Sequence, residues 1–193
     1  PPYGDTAKWS ASYAREWDVK RLEMLKEPVD LFVSYDWPQG IWKYGNLEQA
    51  LAGKDLGDEI RKEMEGGSLG HPGSMELLKK IRPAFWFSSH VHLKFAALVP
   101  HDDGTFTRFL GLDKCQTWRD FMQVLEIEPT SPSFLRKIPG GNSHRQHGAR
   151  WRSRPQAPIY YDPEWLAIQK VNHPHLTFSW KKQKAMVKPP TKE

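Results

Sequence analysis

The stretch FWFSSHVHLKFAAL, residues 85–98, sets two histidines two positions apart between two apolar runs. Phe85 and Phe87 lie two apart, as residues on one face of a strand do, and Ser88–Ser89 slacken the run just before His90 and His92. In an extended segment residues i and i+2 project from the same face, so the two imidazoles are expected side by side. So placed they could grip one ion, or one each of two ions about 3.5–4 Å apart. Spacing alone favours a plainer reading, polar surface or two satisfied core histidines, because a metal site normally takes three or four ligands.

The neighbouring sequence supplies a context for the pair. KFAALV and TRFLGLDKC are further strand-like runs, separated by the turn signal HDDGT. Upstream, VDLFVS (29–34) is a short apolar run expected to form a buried strand. Pro38 and Gly40 stop it and leave Tyr35, Asp36 and Trp37 on the loop that follows. Sheets of α/β proteins present their chemistry on such loops, and Asp36 offers a further oxygen donor. A metal-assisted phosphoryl site is therefore open, though not established by these residues.

Helices are expected where apolar spacing and end signals agree. REWDVKRLEMLKEP places Leu22 and Leu25 on one face and ends at Pro28; NLEQALAGKDLGDEIRKEMEGG is closed by Gly66–Gly67. GSMELLKKI offers Ser74 as N-cap, with Glu76 suiting its first turn and Lys79–Lys80 its last. DPEWLAIQKV combines Asp162 as N-cap with Pro163 at the first helical position. DFMQVLEI (120–127) fits a helix or a strand, and its shortness before a proline-rich loop favours the strand.

Composition narrows the class. The 193 residues include 16 prolines, 14 glycines and nine tryptophans, the make-up of a loop-rich globular chain. No apolar stretch approaches the ~20 residues needed to span a bilayer. The single cysteine, Cys115, excludes an internal disulfide, fits a reducing compartment and is expected to be buried. The tryptophans are likewise expected in the core. The opening PPYGDTAKW, without methionine, reads as the interior of a longer reading frame. A net charge of +5 favours an anionic partner, nucleic acid first.

That charge is concentrated. Residues 129–161 hold six Lys or Arg, two histidines and no acid among many Pro, Gly and Ser, and read as a loop or disordered insert. Arg145, Arg150, Arg152 and Arg154, interleaved with Trp151 and His147, would combine phosphate neutralisation with a stacking surface for single-stranded RNA. A solvated linker explains the same composition equally well.

Four blocks in series go beyond composition: DLFVSYDWPQGIWKYGN (30–46), LGHPGSMELLKKIRPAFWFSSHVHLKFAAL (69–98), RFLGLDKCQTWRDFMQVLEIE (108–128) and YDPEWLAI (161–168). Together they resemble the RNA lariat debranching enzymes, nuclear metallophosphoesterases that hydrolyse the 2′–5′ phosphodiester at intron branch points. The resemblance implies an α/β fold: part of a calcineurin-like sandwich of mixed sheets flanked by helices, followed by the family's C-terminal domain. It divides the chain into the C-terminal half of the phosphoesterase domain (1–115), the C-terminal domain (116–170, with the basic insert at 129–158) and a basic tail expected to be disordered (171–193).

By the same resemblance His90 and His92 match metal-binding histidines and would ligate a dinuclear centre of divalent metal, either iron, zinc or manganese. Intron lariat RNA is the implied substrate, splicing factors are possible partners, the nucleus is the implied location and no membrane is involved. The oligomeric state is not set by the sequence. Two departures bear on activity. The family's early Asp/Cys-x-His-type and Asn-His-Glu motifs do not occur here, and SYDWP stands where the family has Ser-His-Asp-Trp-Pro, so Tyr35 occupies a metal-ligand position. A phenol, neutral at pH 7, is a poor ligand for a divalent ion. The chain is accordingly expected to be a fragment lacking the N-terminal half, inactive alone, with one sheet of the sandwich exposed and solubility poor. A non-catalytic RNA-binding or splicing-associated module, or a bare interaction domain, are the alternatives.

Overall fold

The computed structural model describes residues 14–52, 57–119, 121–127 and 161–175. Its centre is a four-stranded mixed sheet built from β1 (Leu31–Ser34), β2 (Phe85–Ser88), β3 (Phe95–Pro100) and β4 (Phe106–Gly111), in the order β1-β2-β4-β3. β1, β2 and β4 run parallel, and β3 returns antiparallel on β4 as a hairpin closed through His101–Thr105. Gly104, at φ 80°, takes the left-handed turn position that HDDGT announced.

Between β1 and β2 the chain crosses over one face of the sheet. It passes through a 3₁₀ turn (Ile41–Tyr44), α2 (Leu47–Leu51), α3 (Gly57–Glu65) and α4 (Pro72–Ile81), while α1 (Glu16–Leu22) precedes β1. Such a crossover is what parallel neighbours require. The long helix expected over 46–67 is thus two short ones. The cap of α4 also differs from expectation: Pro72 takes the first turn, so the helix starts earlier. His71 Nδ1, not Ser74, accepts the orphan N–H, that of Ser74, at 3.1 Å. α1 ends at Leu22, short of Leu25.

The register divides the sheet's side chains cleanly. Phe32 and Ser34, Trp86 and Ser88, Phe95, Ala97 and Val99, and Thr107, Phe109 and Gly111 share the face beneath the helices. Trp86, Val99 and Thr107 are fully buried there, Trp37 and Ile41 close over them from the loop after β1, and Trp37 stacks on Phe95 at 5.1 Å. The opposite face carries Leu31, Val33, Phe85, Phe87, Leu98, Phe106 and Leu110, and most of it is open: Val33 is 64% exposed and Leu98 49%. β1, expected to be buried, is an edge strand with one bare face.

Two local links position the site. The loop after β1 is tied to the loop before α4, with His71 N–H donating to Trp37 O at 2.7 Å and Gln39 N–H to His71 O at 3.1 Å. Gly70 lies under that contact at φ 82°, and a Cβ there would meet Trp37 O at 2.6 Å, so only glycine fits. Near the chain's other end, α5 (Pro163–Asn172) begins as its sequence signals, Asp162 Oδ1 accepting from Trp165 N at 2.8 Å. It docks on α1 through Arg21, whose guanidinium donates to Gln169 Oε1 at 2.8 Å.

The remaining expectations resolve unevenly. Residues 121–127 form neither strand nor helix and expose Met122 and Val124; their apolar side chains find no sheet edge to join. Cys115 is exposed, since the chain has left the core once β4 ends. Trp118 is exposed too, whereas Trp37 and Trp86 are core residues. Arg145, Arg150, Trp151, Arg152 and Arg154 lie outside the described residues, as does the expected tail beyond 175. The first residues of that tail, 171–175, are instead ordered as the end of α5 and a 3₁₀ turn (His173–His175), because the helix runs on past the predicted stop.

Candidate functional site: a ring-and-carboxylate cluster at the carboxyl ends of β1 and β2

β1 and β2 are adjacent and parallel, so the loops leaving their carboxyl ends emerge side by side. The first delivers Tyr35 and Asp36, the second Ser89 to His92. Ser89 N–H donates to Tyr35 O at 3.1 Å and stitches them together. Below, Ser34 Oγ and Ser88 Oγ lie 2.8 Å apart, and the buried Trp86 indole donates to both hydroxyls, at 2.9 and 3.1 Å. The paired serines thus satisfy an indole that burial would otherwise leave without a partner. They also fix the height at which both loops leave the sheet.

On this base, His90 Nδ1 donates to Asp36 Oδ1 at 2.5 Å, and the imidazole stacks on the Tyr35 ring with centroids 4.6 Å apart and planes 19° off parallel. Residues 54 positions apart in sequence are brought together. With Nδ1 committed to the carboxylate, Nε2 is the nitrogen of His90 left with a lone pair for a ligand.

The extended-strand picture of the histidine pair does not survive. His90 and His92 both sit at positive φ, 60° and 56°, and Val91 N–H donates to Ser89 O at 2.7 Å. The segment is a tight turn, so the same-face rule for extended chains does not apply. The intervening Val91 packs on the core while both imidazoles are exposed. Left-handed backbone at two non-glycine residues is uncommon, and such conformations gather at ligand clamps and active sites.

The donor set falls short of a metal site. Among the described residues no group of three or more His, Cys, Asp or Glu is arranged to hold an ion, so His92 does not complete a cage with His90 and Asp36. Two imidazoles and one carboxylate already spent on His90 fall short of the three or four ligands a site normally takes. Sequence reasoning placed Tyr35 and Asp36 beside the histidines but passed over Asp113. That residue leaves the carboxyl end of β4, the third parallel strand, and accepts from Arg119 Nη1 at 3.2 Å and from Lys114 N at 2.8 Å. Its place directly after an apolar strand was the available signal.

The chain is a mixed α/β protein whose imidazole, phenol and carboxylate cluster lies at the carboxyl ends of parallel strands, the place where α/β sheets commonly meet ligands. Residues 104–193 match the family model described as the lariat debranching enzyme, C-terminal domain. The chain is 46% identical over 179 residues to the lariat debranching enzyme of Mus musculus and 45% to that of Homo sapiens, alignments covering 89% of this chain and 28% of each relative. For the Arabidopsis thaliana lariat debranching enzyme the identity is 38% over 171 residues, covering 88% of this chain and 35% of the relative. Over most of its length the chain is thus similar to lariat debranching enzymes, and its C-terminal part matches their C-terminal domain. It spans about a third or less of the length of these relatives.

Proposed function

We propose that this chain is part of an enzyme that hydrolyses the 2′–5′ phosphodiester of intron lariat RNA, within a metallophosphoesterase sandwich working in the nucleus. The observation that carries the reading is the alignment over 89% of the chain, which spans both strand-end loops that form the cluster. His90, through its free Nε2, and His92 would each contribute an imidazole to a centre whose other ligands lie outside these residues. Divalent ions, when bound, would neutralise charge at the scissile phosphate. The work of this chain's own residues is to hold the imidazoles: Asp36 fixes the His90 tautomer, Val91 anchors the turn, and the Ser34–Ser88 pair sets its height.

The bare sheet face supports the sandwich. LFVS and FWFS are apolar on both alternations, the pattern of strands covered on two sides, yet among the described residues only one side is covered. A second sheet would bury Val33, Phe85, Phe87 and Leu98.

A second reading rests on Tyr35. A phenol stacked on His90 where the family pattern has a ligand fits a non-catalytic, RNA-binding relative. Equilibrium dialysis against Mn²⁺ or Zn²⁺ of the 193-residue chain joined to the N-terminal half of a lariat debranching enzyme separates the two readings. The first expects binding that is lost in a His90→Ala, His92→Ala double variant. Binding unchanged by the double variant, or none at all, sinks it and leaves RNA binding as the activity. Neither reading expects the chain alone to open a lariat.

A further inference from the structure

We propose that the outer face of the Tyr35 ring is a stacking platform for a nucleobase of single-stranded RNA. The ligand class rests on the functional reading above; the platform itself rests on four features of the cluster.

First, the ring is held in place. Its inner face lies on the His90 imidazole at 4.6 Å, and that imidazole is in turn fixed by Asp36. An aromatic side chain with its partner already in register loses little further freedom when a second ring is added. Second, the ring is available: Tyr35 is 62% exposed, although β2 beside it ends in the fully buried Ser88. A tyrosine placed only to fill space would turn its ring inward, as Trp37 two residues later does. Third, the position is where α/β sheets meet their ligands, at the carboxyl ends of neighbouring parallel strands.

Fourth, the backbone beneath the stack stores strain. His90 adopts φ 60° and brings its ring onto Tyr35 and its Nδ1 onto Asp36 at once. Two contacts that hold a sparsely populated backbone are a preorganised arrangement rather than a loose surface loop. The face so presented is flat, apolar and edged by polar atoms. Every base has a π-face, so such a surface tolerates any sequence and distinguishes a base from a bare sugar phosphate.

The platform changes what Tyr35 means. A position that in the family pattern holds a metal ligand would here have exchanged an ion contact for a base contact, within the same few ångströms of the sheet edge.

The test uses the 193-residue chain in the presence of EDTA, so that metal plays no part, with a short single-stranded RNA hexamer as probe. Binding is read by fluorescence anisotropy. Tyr35→Leu is expected to weaken the hexamer about fivefold to a hundredfold, the loss that removing one base–aromatic stack produces, while Tyr35→Phe keeps the affinity within about twofold. Trp118→Leu, which removes another exposed aromatic, is expected to leave it unchanged. Adenosine 5′-monophosphate should displace the hexamer and ribose 5-phosphate should not. Equal affinity in Tyr35→Leu and the parent chain, equal loss in Trp118→Leu, or equal displacement by the two competitors overturns the proposal. Metal dialysis decides the earlier reading independently, so no metal bound in dialysis together with RNA lost in Tyr35→Leu upholds this proposal and sinks that one.

Discussion

The two faces of the sheet share the same backbone and differ in almost everything else. Beneath the helices, Trp86, Phe95 and Phe109 are sealed, the Trp86 indole is satisfied by two serine hydroxyls, and Thr107 donates to Pro83 O at 2.6 Å. On the other side Leu31, Val33, Leu98 and Phe106 lie open, and Arg108 reaches over the Phe85 ring at 5.5 Å. The sequence treats both faces as interior, whereas the described fold covers one. Hydrophobic side chains therefore contribute unequally: those on the covered face stabilise the fold, those on the open face are available for a partner layer.

The largest expected break in that comparison comes from paired truncations. Trp86→Ala should cost about 3–5 kcal/mol, enough to unfold a marginal domain, because it empties the centre of the covered face. Leu98→Ala, an equally apolar residue on the open face, should stay within about 0.5 kcal/mol. Urea denaturation of the two variants measures both. Similar losses would mean that the open face is covered in solution.

A smaller effect is expected at Gly111, where β4 passes beneath Trp37. A Cβ there would collide with the Trp37 ring and come within 2.9 Å of Leu93 O. Gly111→Ala should therefore destabilise by about 1–3 kcal/mol through overpacking, read as a lowered thermal midpoint. Glycines with open surroundings, such as Gly67, offer the contrast.

The smallest effect is electrostatic and sits at the end of the hairpin. Burial, and then the nearby Arg82 guanidinium, lower the His101 pKa below its ordinary value of 6.5. The Thr107 hydroxyl proton goes to Pro83 O, so His101 Nε2–H donates to Thr107 Oγ1 at 2.8 Å. With the folded pKa below the unfolded one, the unfolded chain takes up the proton first. Stability is thus fully present above about pH 6.5 and declines as pH falls from there toward the folded value. His101→Gln should flatten that limb of the stability profile, and an unchanged slope would remove His101 as its source.

Legibility followed locality. The β3–β4 hairpin could be read because HDDGT and its flanking alternation lie within one short window, and α5 because Asp162, Pro163 and Glu164 are consecutive. The cluster was legible in its parts, since Tyr35, Asp36, His90 and His92 each stand just past an apolar run. The turn that separates the two histidines was not. It depends on Val91 being drawn inward by a core that only the assembled sheet creates. The edge position of β1 was hidden for the same reason: strand order is a long-range property, and LFVS carries no mark of it. Cys115 and 121–127 were misread because apolar composition suggested burial where the chain had already left the core.

The Ser34–Ser88 contact joins residues 54 apart, while β3 and β4 are joined by a turn of five. Chain entropy orders these events in time: the hairpin closes early, and the β1–β2 pairing waits for the whole crossover to be laid down. The cluster of Tyr35, Asp36 and His90 is thus assembled after the hairpin, and amide exchange at its strand ends is expected to be faster than in the hairpin.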